Sequence, residues 1–389
     1  MNRPILIIAV IVLTTATAAP IAQELQYEAT AINIEVPVRV FKGSAFVDNL
    51  TIGDFEIYED GKLQKIEAVY LIKKLGIQRE ETAMGGKEAR KRFSPRISRN
   101  FVFLFELTDH LPKIDEAMDY FFEEVISPDD ALIVATPVKT YKFNKQALAV
   151  APRNVIADRL KEIIRRDVTL GSREYQNLIR DYKWIYRSEF PEDQKLLLMM
   201  DKIRELKSLR YLPEKKVRGL ADSLKTMEGQ KFALFFYQKE LLPFPELPFE
   251  SLQRLELQSE LTSFVAFDTE KIKQAFSDSS ISLHFLYVTK TQTSELDSDE
   301  LRPTDMEMHD MSVSIFKIFK DIAEATGGLS DSSANVASLL KTAADASENY
   351  YLLYYVPEDY KPDGKFRKIE VKIKDKDYRI THRSGYIAD

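Results

Sequence analysis

Cysteine is absent from the 389 residues of this chain. Its absence excludes disulfide bonds, catalytic thiolates and zinc sites built on thiolates. Histidine is scarce as well, and no two of the four histidines form the i, i+4 pair that binds zinc on one helix face. Each is therefore interpreted as a packing or surface residue. The four are His110, His284, His309 and His382.

A strong charge of either sign is also missing. The net charge is only −6, which gives no electrostatic reason to expect nucleic acid as a partner. The hydrophobic content of 44% is that of an ordinary globular protein. The length allows two or three domains.

Long apolar runs are absent after the N-terminus. The run Ile5–Leu13 is shorter than the ~20 residues that span a bilayer, and it follows Arg3. Small residues at Ala16 and Ala18 then fit the cleavage rule of export signals. We predict a signal peptide at residues 1–22 and a periplasmic or extracellular, secreted protein without a transmembrane segment in the mature chain. An uncleaved N-terminal anchor is the alternative.

Two β-rich segments are predicted near the chain ends. Residues 25–75 contain the alternating run "INIEVPVRVF" and a hairpin signal at Asp60-Gly61, which together predict a small antiparallel β-domain. The polar residues 76–99 have no periodicity and are interpreted as a linker. Residues 349–389 contain further alternating strands, two of them joined by a turn at Lys374–Asp377. We expect these strands to pair with the N-terminal β-domain.

Strands and helices alternate across residues 100–348. Phe101–Leu107 is continuously apolar, as in a strand buried on both faces, and residues 113–125 have helical spacing. This alternation predicts an α/β fold with a doubly wound, mostly parallel sheet, flanked by the β-domain. Residues 145–229 are predicted to be a largely helical insert. Residues 152–230 hold 18 Lys and Arg against 13 Asp and Glu, which we interpret as solvated helix faces, with a partner-binding surface as the alternative.

Several motifs, in this order, resemble those of bacterial exported proteins with a von Willebrand factor A-related domain. They are "NLTIGDFEIYEDGKLQKI", "RNFVFLFELTD", "ISPDDALIVATPV", "FKDIAEATGG" and "YYLLYYVPEDYKPDGKFRKIEVKI", with "RSGYIA" near the end. The resemblance implies an open parallel sheet. It also implies a metal-ion-dependent adhesion site where the strands end, in which an Asp-x-Ser-x-Ser loop and other oxygen ligands hold Mg²⁺.

The residues at the positions of that loop differ from the family pattern. They are Glu106, Thr108 and His110, so the carboxylate is one methylene longer and an imidazole replaces a hard oxygen ligand. After "FALFFY", where the resemblance implies an aspartate, the chain has Gln238, Lys239 and Glu240. The sequence therefore predicts a degenerate site without a metal or other cofactor.

The sequence favours a non-enzymatic protein-binding or scaffolding protein whose partner is unidentified. We predict recognition at Glu106, Thr108, Asp109, Lys239 and Glu240. One alternative is a metal-dependent adhesion module in which Glu106, Thr108 and Asp109 form an altered Mg²⁺ shell. The other is a hydrolase with its site in the insert, which contains no histidine. No nucleophile elbow, phosphate loop or metalloprotease helix is present.

Overall fold

The computed structural model describes residues 32–74, 76–83, 93, 95–244, 268–289, 307–374 and 377–389. The predicted signal peptide and part of the predicted linker lie outside these residues. From Ile32 to Asp389 the chain forms one compact unit. No described helix combines the length and apolar character that a membrane span needs.

The strands are numbered in chain order. They are β1 (Ile34–Lys42), β2 (Ala45–Phe46), β3 (Phe55–Glu59), β4 (Lys62–Gln64), β5 (Ile66–Lys73), β6 (Gly76–Thr82), β7 (Arg99–Glu106), β8 (Ala131–Ala135), β9 (Thr140–Phe143), β10 (Gln230–Gln238), β11 (Leu241–Phe244), β12 (Ile281–Val288), β13 (Glu307–Asp310), β14 (Ser330–Ser333), β15 (Asn349–Tyr355), β16 (Phe366–Ile373), β17 (Arg379–His382) and β18 (Gly385–Ile387).

The α-helices are numbered in the same way. They are α1 (Lys113–Tyr120), α2 (Lys145–Val150), α3 (Arg153–Gly171), α4 (Arg173–Arg187), α5 (Glu192–Arg210), α6 (Glu214–Lys225), α7 (Thr269–Asp278), α8 (Val313–Ala325) and α9 (Val336–Glu348). A π-helical turn, Phe121–Val125, extends α1, and a 3₁₀ turn, Ile52–Asp54, precedes β3.

The central sheet has the strand order β14-β12-β10-β7-β8-β9. All neighbours are parallel except β8 and β9, which are antiparallel. Every residue of β10 and β12 is buried, as expected where helices cover both faces of a sheet. The α/β class with a mostly parallel sheet and separate antiparallel sheets is confirmed.

Helices cover both faces of the central sheet. One face packs apolar residues of α1, α3 and α9, including Ile114, Leu160 and Leu339, against the sheet. The other face packs residues of α4 to α8, including Ile203 and Phe319. The helices of the predicted insert therefore contribute to both cores, and most of their charged residues lie on the faces opposite the buried apolar ones.

Two antiparallel sheets pack face to face as a β-sandwich. One has the order β17-β1-β15-β5-β6, with β2 beside β1, and the other has the order β18-β16-β3-β4. Strand β15, from near the C-terminus, lies between β1 and β5, with Ile34 opposite Tyr355. The alternating apolar residues fill the space between the sheets, among them Val38, Ile57 and Val371.

The turn predicted at Asp60-Gly61 is confirmed, and a glycine pair ends helix α8. Asp60 and Gly61 both have positive φ and connect the paired strands β3 and β4. Gly327, with φ of +71°, follows α8, where its N–H donates to Glu324 O and that of Gly328 donates to Ala323 O. This is the Schellman arrangement that ends a helix.

Two connections differ from those that the sequence predicts. The linker predicted at residues 76–99 begins with strand β6, which pairs with β5. Its residues are polar because β6 is an edge strand and most of it is partly or fully exposed. The strands on either side of Lys374–Asp377 do not form a hairpin, since β16 pairs with β3 and β18 whereas β17 pairs with β1.

Buried polar contacts join the sandwich to the α/β layer. Arg39 of β1 is 1% exposed and donates hydrogen bonds to Gly327 O, at 2.8 Å, and to Ala346 O. A Cβ at Gly328 would lie 1.8 Å from Leu283 O, so the backbone after α8 lies directly against β12. This close approach requires glycine at position 328.

Candidate functional site

The carboxyl ends of β7 and β10 form a polar cluster at one edge of the central sheet. The two strands are parallel neighbours, with Glu106 opposite Tyr237. The segments that leave them, which contain Thr108 and Glu240, therefore emerge side by side. The strand order reverses at this point, which is where open α/β sheets usually bind ligands.

Arg210, the last residue of α5, enters this cluster from the insert. Its Nε lies 2.8 Å from Glu240 Oε1, and its Nη1 lies 3.3 Å from Glu106 Oε2. The Arg210 side chain is 10% exposed and that of Glu240 is 1% exposed. Tyr175 and Tyr237 place their rings beside the guanidinium, at 5.8 and 5.0 Å. One buried cation thus joins two carboxylates from different strand ends.

The neighbouring carboxylates keep the Arg210 guanidinium charged. Burial alone lowers the pKa of the Arg210 guanidinium, but the negative charges of Glu240 and Glu106 outweigh burial and raise it well above its ordinary value. Burial, reinforced by Glu240, raises the pKa of Tyr237 well above its ordinary value. The Tyr237 hydroxyl therefore stays protonated and donates to Glu240 Oε1 at 2.7 Å.

The loop after β7 is held through its backbone. Oε1 of Gln238 accepts hydrogen bonds from the N–H groups of Thr108 and Asp109, both at 3.0 Å. Nε2 of Gln176, in α4, donates to Thr108 O at 2.6 Å. A neutral amide thus supports the loop from β10, and the insert supports it from the other side. Thr108 is buried and Asp109 is exposed.

His110 contacts the start of α1. Its Nε2 lies 3.3 Å from Asp115 Oδ1, and Asp115 also pairs with Arg165 of α3 at 2.7 Å. The histidine therefore belongs to a contact between the loop and two helices. In the site that the family resemblance implies, His110 is one of three ligand positions together with Glu106 and Thr108.

The two residues that follow Gln238 have separate roles. Lys239 is partly exposed and its Nζ lies 3.4 Å from Asp310 Oδ2. Glu240 is buried against Arg210 and so presents almost no surface for the direct partner contact that the sequence predicts. The physical reason is that its carboxylate faces the insert, which the sequence does not reveal. The Glu240 N–H donates to Ser312 Oγ at 3.1 Å.

The side chains of this cluster do not fit the Mg²⁺ shell that the family resemblance implies. A magnesium ion requires near-octahedral oxygen ligands, including free carboxylate oxygens. Here Arg210 occupies Oε2 of Glu106, and Lys216 lies 3.8 Å from Oε1 of the same carboxylate. Among the described residues, no group of three or more histidine, aspartate or glutamate side chains is arranged to hold a metal.

Sequence reasoning missed Arg210 and Gln176. Both lie in the insert, where a charged or polar residue on a helix normally faces solvent. The signal available for Arg210 is its position at the end of α5, two residues before the buried Leu212. That signal is too general to single it out among the 18 basic residues of the segment.

Comparisons with known proteins assign no family. No protein-family model matches the chain, and no curated protein matches its sequence. Among solved structures, the human COPII-coat protein Sec24c is similar with a TM-score of 0.32 and 6% identity. The match covers 77% of this chain and 44% of that one, so this chain spans less than half the length of Sec24c. A likeness this weak supports no functional conclusion.

Proposed function

We propose that this chain is an exported, non-enzymatic binding or scaffolding protein with a von Willebrand factor A-like domain in which Arg210 takes the place of the metal ion. Counted within the central sheet, the strand order is 3-2-1-4-5-6, with helices on both faces. This order supports the family resemblance, because it is that of doubly wound folds. Export is supported by the sequence of residues 1–22, outside the described part of the chain.

The buried bridge of Glu106, Arg210 and Glu240 carries the proposal. A guanidinium supplies positive charge at the edge where the resemblance implies a cation, and it donates a hydrogen bond to one oxygen of each carboxylate. Unlike a metal, it has no open coordination position for a ligand carboxylate. Recognition at this edge then depends on direct contacts from partly or fully exposed side chains, namely Glu106, Asp109, Lys216 and Lys239.

Calorimetric titration with Mg²⁺ and Mn²⁺ separates this proposal from a metal-dependent adhesion module. We expect no binding heat for the chain starting at Gln23. If the unsubstituted chain instead gives a binding heat, and that heat is lost in Glu106→Ala and in Thr108→Ala, the altered metal shell is established. Because Glu106→Ala also removes a partner of Arg210, the unfolding midpoint of each variant must be measured alongside.

Site-specific photocrosslinking tests the proposal that this edge of the sheet binds a protein partner. A photoreactive amino acid replaces Asp109 at the proposed edge, and Lys372, an exposed residue of β16, serves as the matched control position. In cells of the source organism, we expect a discrete crosslinked species from position 109 that persists with a chelator and is absent from position 372. No species from position 109, or the same species from both positions, would contradict the proposal.

A further inference from the structure

A cavity of about 400 Å³ lies between the central sheet and α6, beside the Arg210 cluster. Residues of five strands, β7, β8, β9, β10 and β12, line it, and α6 with the turn before it forms one wall. Most of the lining residues are apolar. It includes Leu104, Phe235, Leu283, Leu212, Val217 and Leu220.

The cavity reaches solvent. Leu104 lies on β7, between β10 and β8, where a side chain is normally fully covered, yet it is only partly buried. Leu220 of α6 is partly buried as well. A volume of about 400 Å³ is at the lower end of the range of ~300–1,000 Å³ that is usual for small-molecule sites.

The rim carries an excess of positive charge. Lys139, in the turn between β8 and β9, and Lys216, in α6, both line the opening together with Glu106. The Glu106 carboxylate is paired with Arg210 at 3.3 Å and lies 3.8 Å from the Lys216 ammonium, so this one negative charge faces more than one cation. The Lys139 ammonium lies 4.8 Å from the centre of the Tyr141 ring and forms no ion pair with a described carboxylate.

We infer that this cavity binds a small amphiphile with an unbranched aliphatic chain and one anionic head group, such as a medium-chain fatty acid. The apolar lining residues, among them Leu104, Phe235 and Leu283, offer no side-chain hydrogen bonds, so the part of a ligand that packs against them must be apolar to avoid an unpaired buried group. The two lysines at the rim would pair with the head group, where charge-assisted hydrogen bonds are strong. This inference goes beyond the proposed function and does not require a protein partner.

Calorimetric titration with sodium decanoate, below its micelle concentration, tests the inference directly. We expect saturable binding to the chain starting at Gln23, and binding of decyltrimethylammonium at least about tenfold weaker, a difference of ~1.4 kcal/mol. No saturable heat with decanoate would overturn the proposal. Equal affinity for the two head groups would overturn the role given to the lysines.

Two tryptophan substitutions test whether decanoate binds in this cavity. Leu220→Trp fills the cavity from its partly buried wall, and we expect decanoate affinity to fall at least about tenfold. Leu197→Trp is the matched control, because Leu197 of α5 is 65% exposed and is not part of the lining. Unchanged decanoate binding in a folded Leu220→Trp protein would show that the ligand binds elsewhere and would contradict the inference.

The double variant Lys139→Gln/Lys216→Gln tests the head-group contact. We expect it to weaken decanoate binding and to reduce the preference for decanoate over decyltrimethylammonium to about unity. A retained preference would contradict pairing with these lysines. The apolar wall is intact in this variant, so residual binding of both amphiphiles is the expected background.

Discussion

Arg210 Nε and Glu240 Oε1 lie 2.8 Å apart in a buried ion pair that joins the end of α5 to the segment after β10. The same guanidinium reaches Glu106 at the end of β7. A helix of the insert is thereby bonded to two central strands. Removing the cation would leave the Glu240 carboxylate, which is 1% exposed, without the cation that pairs with it.

Arg210→Met should lower the free energy of unfolding by about 3–5 kcal/mol, because a buried ion pair loses one member. Urea unfolding followed by circular dichroism measures this loss. Arg218→Met on α6 is the control, since Arg218 is 50% exposed and pairs with Glu214 only at 3.8 Å, and it should change stability by less than about 0.5 kcal/mol. Equal effects of the two substitutions would refute the special role of Arg210.

His284 should make the protein less stable in acid. Burial first, and then the charge of Arg39, lower the pKa of His284 from 6.5 to about 3, so the folded state keeps it neutral. The unfolded chain binds the proton near pH 6.5 and the folded chain only near pH 3. The contribution of His284 to stability is therefore complete above pH 6.5 and declines as pH falls, by about 1.4 kcal/mol per pH unit across that window.

Urea unfolding at several pH values measures this dependence, and His284→Phe provides the comparison. Phenylalanine keeps an aromatic ring beside Phe232, which lies 6.3 Å from the His284 ring, and it does not titrate. We expect a shallower loss of stability between pH 6 and pH 4 in this variant. Parallel pH profiles for the two proteins would show that His284 is not kept neutral.

Gly328→Ala should destabilise the protein by about 3 kcal/mol or more. A Cβ at this position would meet Leu283 O at 1.8 Å, and the backbone of β12 cannot move aside without disturbing the sheet. Gly219→Ala is the matched control, because a Cβ there meets nothing within 4 Å on an exposed face of α6. It should stabilise the helix by about 0.5–1 kcal/mol. Thermal unfolding separates the two outcomes by sign.

Arg39→Met should weaken the joint between the sandwich and the α/β layer. The carbonyls of Gly327 and Ala346 would lose their donor, at a cost of about 1–3 kcal/mol for each unsatisfied group. Lys42→Met, at the exposed end of the same strand, should have little effect. A change in the unfolding midpoint similar to that of Lys42→Met would mean that the carbonyls find other partners.

The sequence by itself determined the local structure of the described chain. Alternation fixed which side chains of β1 and β16 enter the core, and Asp60-Gly61 and Gly327-Gly328 fixed a turn and a helix end. These signals can be recognised in the sequence because they act between residues that are near neighbours along the chain. The continuous apolar strands also predicted a sheet covered on both faces.

Only the tertiary structure decided how distant segments meet. The polar strand β6 pairs with β5 although its sequence resembles a linker, because hydrogen bonding along a sheet edge requires no apolar pattern. Arg210 lies beside Glu106 and Glu240 because α5 ends above the junction of β7 and β10. Nothing local distinguishes it from a solvated arginine. This buried ion pair forms only where three segments of the chain come into contact, and the tertiary packing alone brings them together.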